Sequence, residues 1–252
     1  LFTNKGRVYR MKGFNIPIAS RTAKGLPIIN LLTLEKDEKV KVLLPIPKEH
    51  DHIKTLLFVT RNGIAKRTAL NEFDNINRNG KIAISLKEED ELAFVKATTG
   101  DDEVMIAGSN GKAVRFKEDQ IRMMGRNAAG VLGFNCDGSY VVGVCLSNEG
   151  NTVLSVSENG YGKRSDFEEY RLTSRGKKGV RTINITEKTG NLVSVKAVNG
   201  DEDAMIVSSS GIMIRISLAS VGVYGRNTQG IKLIHLTEGS KVTKVTLVDH
   251  DE

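Results

Sequence analysis

The residues of this sequence whose types and spacing could do chemistry are its arginines and lysines. Five times an apolar run ends in a Gly and an Arg follows four residues later: Gly6/Arg10, Gly63/Arg67, Gly111/Arg115, Gly160/Arg164 and Gly211/Arg215. A polar loop closing on a second Gly comes next in each case. The loops are Ser20 to Gly25, Asn77 to Gly80, Gly125 to Gly130, Ser174 to Gly179 and Gly225 to Gly230. First and second Gly lie 19, 17, 19, 19 and 19 residues apart, and the first Gly recurs after 57, 48, 49 and 51 residues. The five windows between these glycines hold 21 Lys and Arg against 7 Asp and Glu, so they carry +14 and the rest of the chain −7. Cationic donors confined to one phase of a repeat suit a partner whose charge also repeats, and a phosphate backbone is such a partner.

Two groups of candidate phosphate contacts follow. The shared arginines Arg10, Arg67, Arg115, Arg164 and Arg215, with the nearby Lys66, Lys112 and Lys163, form one group; a structural role in joining one repeat to the next is the rival reading for these arginines. The second group is in the loops: Arg21, Lys24, Arg78, Arg126, Arg175, Lys177, Lys178 and Arg226. Polar turns that end in Gly favour solvent, so the loop group is the firmer expectation. Catalytic and metal chemistry find little material. Cys136 and Cys145 are too few for a zinc site or a disulfide framework and read as small buried thiols. No Cys or acidic cluster completes a shell around His50 and His52, and no Ser/His/Asp set recurs, so no catalytic residue and no metal ligand is assigned.

The elements that must position these cations are strands. After each second Gly the side chains alternate, as in Gly179-Val180-Arg181-Thr182-Ile183-Asn184-Ile185, and a further apolar stretch such as Leu192 to Val198 follows a turn. Asn-Gly and Ser-Gly pairs ahead of the shared Arg predict two-residue hairpins with Gly at positive φ. About four short strands per repeat of some fifty residues is the pattern of propeller blades. The fold class is therefore all-β and propeller-like, one domain over 1–252 with repeats near 1–54, 55–102, 103–151, 152–201 and 202–252. A short helix over Glu118 to Met124 is compatible with this, and the long first interval places a loop insertion near Pro45 to His50. In such blades one phase of every repeat falls at one radius, which turns a periodic charge into a belt.

Composition bounds the partners. The chain has 252 residues, 39% hydrophobic and 27% charged, with net charge +7, which suits a folded protein and a polyanionic partner. It has no apolar run of membrane-spanning length, so no membrane partner is expected. The aromatic residues, with no Trp, do not alternate with the basic ones as a single-strand platform requires. Duplex DNA gripped by its backbone fits best. Bending a 20–30 bp site costs on the order of 1–6 kcal/mol, which several charge-assisted phosphate contacts can offset. The opening residues Leu1 to Gly6 read like the middle of a strand, so a fragment of a longer chain is expected.

Several stretches resemble the C-terminal domain of bacterial DNA gyrase A: Phe2 to Arg10 through Lys24-Gly25, Ile76 to Ile84, Glu158 to Arg164 and Gly225 to Gly230. The resemblance covers essentially the whole chain and implies a β-pinwheel that wraps duplex DNA on its basic rim. In that family the wrap presents a second DNA segment to the strand-passage core of a type II topoisomerase, so that an ATP- and magnesium-dependent holoenzyme introduces negative supercoils. The implied partners are duplex DNA, the N-terminal part of gyrase A itself and gyrase B, in the bacterial cytoplasm. The resemblance implies that the domain itself holds no cofactor and is not catalytic. Two departures stand out. The family usually has six blades where five repeats are visible, and its Gln-Arg-Arg-Gly-Gly-x-Gly box is spelled by none of the five loops, Ser174 to Gly179 being nearest. The matching domain of topoisomerase IV, a protein-interaction propeller and a propeller enzyme remain as alternatives.

Overall fold

The computed structural model describes residues 1–20, 22–76 and 79–249; Arg21 and Arg78 lie outside the described residues. The chain divides into two compact units, one made of Leu1–Gly100 with Ile121–Val131 and the other of Asp101–Gln120 with the residues from Leu132 onward. Both are built of antiparallel sheet, as the alternating pattern requires. Helical structure among the described residues is limited to single 3-10 turns, and the segment after Lys117 forms one of these over Glu118–Gln120 only.

Each repeat begins with the same turn. Arg61, Asn62 and Gly63 separate the strand Thr55–Thr60 from Ile64–Ala69, and the Gly63 N–H donates to the Thr60 carbonyl at 3.1 Å. The matching bonds at Gly6, Gly111, Gly160 and Gly211 are 3.0–3.1 Å, and all five glycines have φ between 72° and 87°. The hairpin is thus a three-residue turn rather than the two-residue one expected. A third residue in the left-handed region matches the right-handed twist of the flanking strands, and Gly takes it without steric cost.

In the later four repeats the strand after the second Gly does not join the sheet of its own repeat. It crosses to the sheet of the repeat before. The sheet of Val40–Val42, Phe2–Thr3 and Arg7–Val8 takes Lys81–Ile82 as its fourth strand, and the sheet of Leu92–Thr98, Thr55–Thr60 and Ile64–Ala69 takes Val131–Leu132. The third sheet, Val141–Leu146, Glu103–Gly108 and Lys112–Lys117, takes Val180–Arg181; the fourth, Leu192–Val198, Thr152–Ser157 and Tyr161–Asp166, takes Ile231–Lys232. The register repeats. Val180 opposes Ala113 and Arg181 opposes Lys112, just as Ile231 opposes Gly162 and Lys232 opposes Tyr161. The residue after each pair, Thr182 or Leu233, donates its N–H to the first Gly of the acceptor at 2.8 Å. The fifth sheet, Met213–Ser217, Asp203–Ser208 and Val242–Val248, has three strands among the described residues.

The cores lie between consecutive sheets. Central strands Thr55–Thr60 and Thr152–Ser157 are buried along their whole length. In the first unit Phe2, Phe58 and Phe73 pack edge-on and tilted with centroids 5.5–6.2 Å apart, among Leu56, Leu92 and Val95. In the second unit Met105, Phe167 and Tyr170 anchor one cluster and Leu154, Ile206 and Leu218 the next. Cys145 belongs to the first of these, and both cysteines are buried thiols. The expected insertion is a strand-free connection over residues 43–54.

Candidate nucleic-acid interface

The shared arginines lie on, or just after, the strand that follows the first Gly of each repeat. Arg67 is 7% exposed and donates from Nε to the Ile121 carbonyl at 2.6 Å and from Nη1 to the Gly100 carbonyl at 3.2 Å. Arg115, equally buried, donates to the carbonyls of Phe167 and Tyr170, pairs with Glu103 and Glu168, and stacks on the Phe167 ring at 4.7 Å. Arg164 reaches the Val221 carbonyl at 2.8 Å. Arg10 donates to the Asp74 carbonyl from an exposed position, and Arg215 pairs with Asp203 at 2.6 Å. Arg10, Arg67, Arg115 and Arg164 thus reach carbonyls of the following repeat, whereas Arg215 pairs within its own sheet; only Arg10, Arg164 and Arg215 keep solvent-facing surface. The reason is geometric: a guanidinium carries five donors and can serve several carbonyls at once.

Lys66 and Lys163 are wholly buried. The Lys66 ammonium donates to the carbonyls of Ala83, Gly125 and Arg126, and that of Lys163 to the Gly225 carbonyl and the Ser165 hydroxyl, each at 2.7 Å. Burial pushes both amines down to about 8. Neither can reach a phosphate in this structure. Lys112 is half-buried, its Nζ 3.7 Å from Asp137.

The loops present the remaining cations in different degrees. Arg126 and Arg226 are partly covered and lie 3.6 and 3.9 Å from Glu72 and Glu169. Arg175 braces its loop, donating from Nε to the Gln120 carbonyl at 2.9 Å and from Nη1 to the Leu132 carbonyl at 2.8 Å. Lys24, Lys177 and Lys178 are exposed. Lys177 and Lys178 line an open pocket with Arg171, Thr173, Gly179 and Val180. Asp137 stands beside it, 2.7 Å from Lys178, whose hydrogen bond holds the Asp137 carboxyl below the usual carboxylate range. Arg171, Lys177 and Lys178 beside one open pocket are cations that can hold a phosphate oxygen by charge-assisted hydrogen bonds.

Arg171 and Arg181, both exposed, were not among the residues singled out by spacing. The signal for Arg181 was present: alternation after the second Gly points every second side chain outward, and Ile82, Leu132, Arg181 and Lys232 are all exposed at that place. For Arg171 there was none, because its pocket forms only when the loop folds back beside it.

The comparisons with known proteins agree with this repeat structure. A family model described as DNA gyrase C-terminal domain, beta-propeller, matches residues 1–47, 54–99, 102–144, 151–199 and 202–249, one segment per repeat. DNA gyrase A of Ureaplasma parvum serovar 3 is 47% identical over 252 residues, all of this chain and 30% of that protein. DNA gyrase A of Staphylococcus epidermidis is 44% identical over 254 residues, all of this chain and 28% of that protein. The chain thus spans under a third of these relatives. The solved C-terminal domain of DNA topoisomerase IV superposes with TM-score 0.88 at 24% identity, over 98% of this chain and 78% of that one, a likeness of fold. That of DNA gyrase A superposes with TM-score 0.83 at 25% identity, over 98% of this chain and 80% of that one. With an all-β propeller-like fold, the same exchanged strand in four sheets and a family match in every repeat, the chain belongs to the DNA gyrase C-terminal domain family.

Proposed function

We propose that this chain is the non-catalytic module of a DNA gyrase A protein that binds duplex DNA by its phosphate backbone, bends it and wraps it. The observation that carries the reading is the confinement of excess positive charge to one phase of the repeat, which reaches solvent together at Arg171, Lys177 and Lys178 around one pocket. Relatives bearing the name of DNA gyrase A at 44–47% identity favour this over a topoisomerase IV module. The N-terminal part of gyrase A and the whole of gyrase B are its partners in a bacterial cytoplasmic holoenzyme, which supplies the ATP and magnesium chemistry. The module contributes binding energy for a bent duplex, needs no cofactor of its own, and holds DNA in a path that strand passage converts into negative supercoils.

Backbone gripping has a measurable signature. Each phosphate contact removed reduces the dependence of log affinity on log salt by about 1 and weakens all sequences alike. Lys177→Glu with Lys178→Glu is expected to flatten the salt slope by about 2, with the circular dichroism spectrum unchanged. Unchanged affinity would take this loop off the DNA track. Wrapping is read separately, by ligating nicked circular DNA in the presence of the chain and measuring the linking number after protein removal. A salt-sensitive shift supports the wrap; binding without a shift limits the module to holding or bending.

A further inference from the structure

Two loops of the basic phase share a spelling, Gly125-Arg126-Asn127 and Gly225-Arg226-Asn227, and both sit on a buried lysine three residues past a first Gly. Lys66 Nζ meets the carbonyls of Gly125 at 3.1 Å and Arg126 at 2.7 Å; Lys163 Nζ meets the Gly225 carbonyl at 2.7 Å, and its partner Ser165 passes the bond on to the Tyr224 carbonyl at 2.6 Å. The third sheet offers a control inside the same chain. Val114 stands at that place, and the loop above it, Ser174 to Gly179, has a different spelling and is braced instead by Arg175 on the Gln120 and Leu132 carbonyls. Lysine and Gly-Arg-Asn loop therefore occur together, and where the lysine is absent the loop is held from outside.

An ammonium buried without a carboxylate on it is costly unless it does something a hydrocarbon cannot. Here it draws backbone carbonyls of the loop inward, while the loop arginine is held beside it, Arg126 against Glu72 and Arg226 against Glu169 and the Arg181 carbonyl. We propose that Lys66 and Lys163 are positioning residues for DNA binding, their buried ammonium groups holding the two Gly-Arg-Asn loops in the shape that meets phosphate. The inference rests on the DNA-binding reading above, while the geometry of the loops stands without it.

Lys66 adds a pH dependence. Its three carbonyl acceptors, Ala83, Gly125 and Arg126, need the three N–H donors of an ammonium, and a neutral amine has two. The charged groups facing it are the Arg126 guanidinium, which opposes its charge, and the Glu72 carboxylate, which supports it, with the Phe58 ring at 5.3 Å. Desolvation brings its titration to about 8. Phosphate at the loop adds negative charge nearby, so binding draws a proton onto Lys66 and affinity falls as pH rises through that range.

The test measures affinity for a mixed-sequence DNA duplex from pH 7 to 9.5, with amide exchange followed by mass spectrometry, for the native chain, Lys66→Met and Lys163→Met. Expected are roughly tenfold faster exchange confined to 125–130 in one variant and 225–230 in the other, and affinity about fivefold weaker in each. The native chain should lose affinity above pH 8, and Lys66→Met should lose less over the same range, the remainder belonging to Lys163. Loops that loosen with affinity unchanged, or exchange that stays native, would overturn the proposal. A native chain that does not bind duplex at low salt would overturn the function itself, and the exchange data would then still report whether the lysines hold the loops. Should a variant fail to fold, the native pH profile decides: a profile flat through pH 8 refutes the role of Lys66.

Discussion

At the scale of single residues, a cation's value is set by what already occupies its donors. Asp137 occupies Lys178 and, at 3.7 Å, Lys112, so it competes with any phosphate for both. Its φ of 51° suits Asn. Asp137→Asn is therefore expected to raise duplex affinity about two- to fivefold, the worth of an exposed ion pair, in a fluorescence anisotropy titration. Arg115 is the opposite case: its donors all serve protein groups, so Arg115→Met should cost about 3 kcal/mol in a urea unfolding series, while Arg10→Met, exposed with one carbonyl partner, should cost about 1 or less. The buried amines also govern stability. In the folded chain Lys66 and Lys163 release protons near pH 8, in the unfolded chain near 10.5, so the unfolded state binds more protons between these values and stability rises with pH there. Above about pH 10.5 the trend reverses, because burial pushes Tyr170 up to about 12 and the unfolded tyrosine ionises first. Urea midpoints should climb from pH 7.5 to 9.5, and a Lys66→Met, Lys163→Met double variant should keep only the small rise due to the buried Leu1 amine, which burial lowers to about 6.

At the scale of elements, the exchanged strand is what joins the repeats, and the second Gly is its clasp. Gly179, at φ 73°, lies so close to the Ala113 carbonyl that a Cβ could not fit without moving backbone. Gly211 has φ 82° but open space around its missing Cβ. Gly211→Ala should thus cost only the conformational term, about 1 kcal/mol, and Gly179→Ala that term plus displacement of the strand, about 3 kcal/mol or more, measured by thermal unfolding. The turns and glycines that shape these elements are local features, and they were readable in the sequence. Which sheet the strand after the second Gly would join was not, since Val180 alternates identically whether it pairs within its own repeat or with Lys112 and Ala113 of the one before. The partner is chosen by the chain's path and by burial of Ile183 and Ile185 against the earlier sheet.

At the scale of the whole molecule, charge is the property that acts. A net +7 hides an internal separation of +14 and −7 between phases of the repeat, and such a field steers a polyanion while making its binding strongly salt-sensitive. Six phosphate contacts would lose on the order of 10³ in affinity between 50 and 200 mM salt. A titration across that range that stayed flat would rule out backbone gripping and return attention to protein partners.

By itself the sequence determined the repeat, its period, the all-β class, the left-handed glycines and the phase in which cation accumulates, because each of these depends on residues close together in the chain. Family membership was legible for the same reason. Tertiary structure decided which cations remain available. Arg67, Arg115, Lys66 and Lys163 carry the same charge and occur in the same windows as Lys177 and Lys178, yet each of the first four has donors spent on a carbonyl 54 to 62 residues further along the chain. Spacing shows where a charge stands along the chain; only the packed neighbour shows whether its hydrogen bonds are already taken.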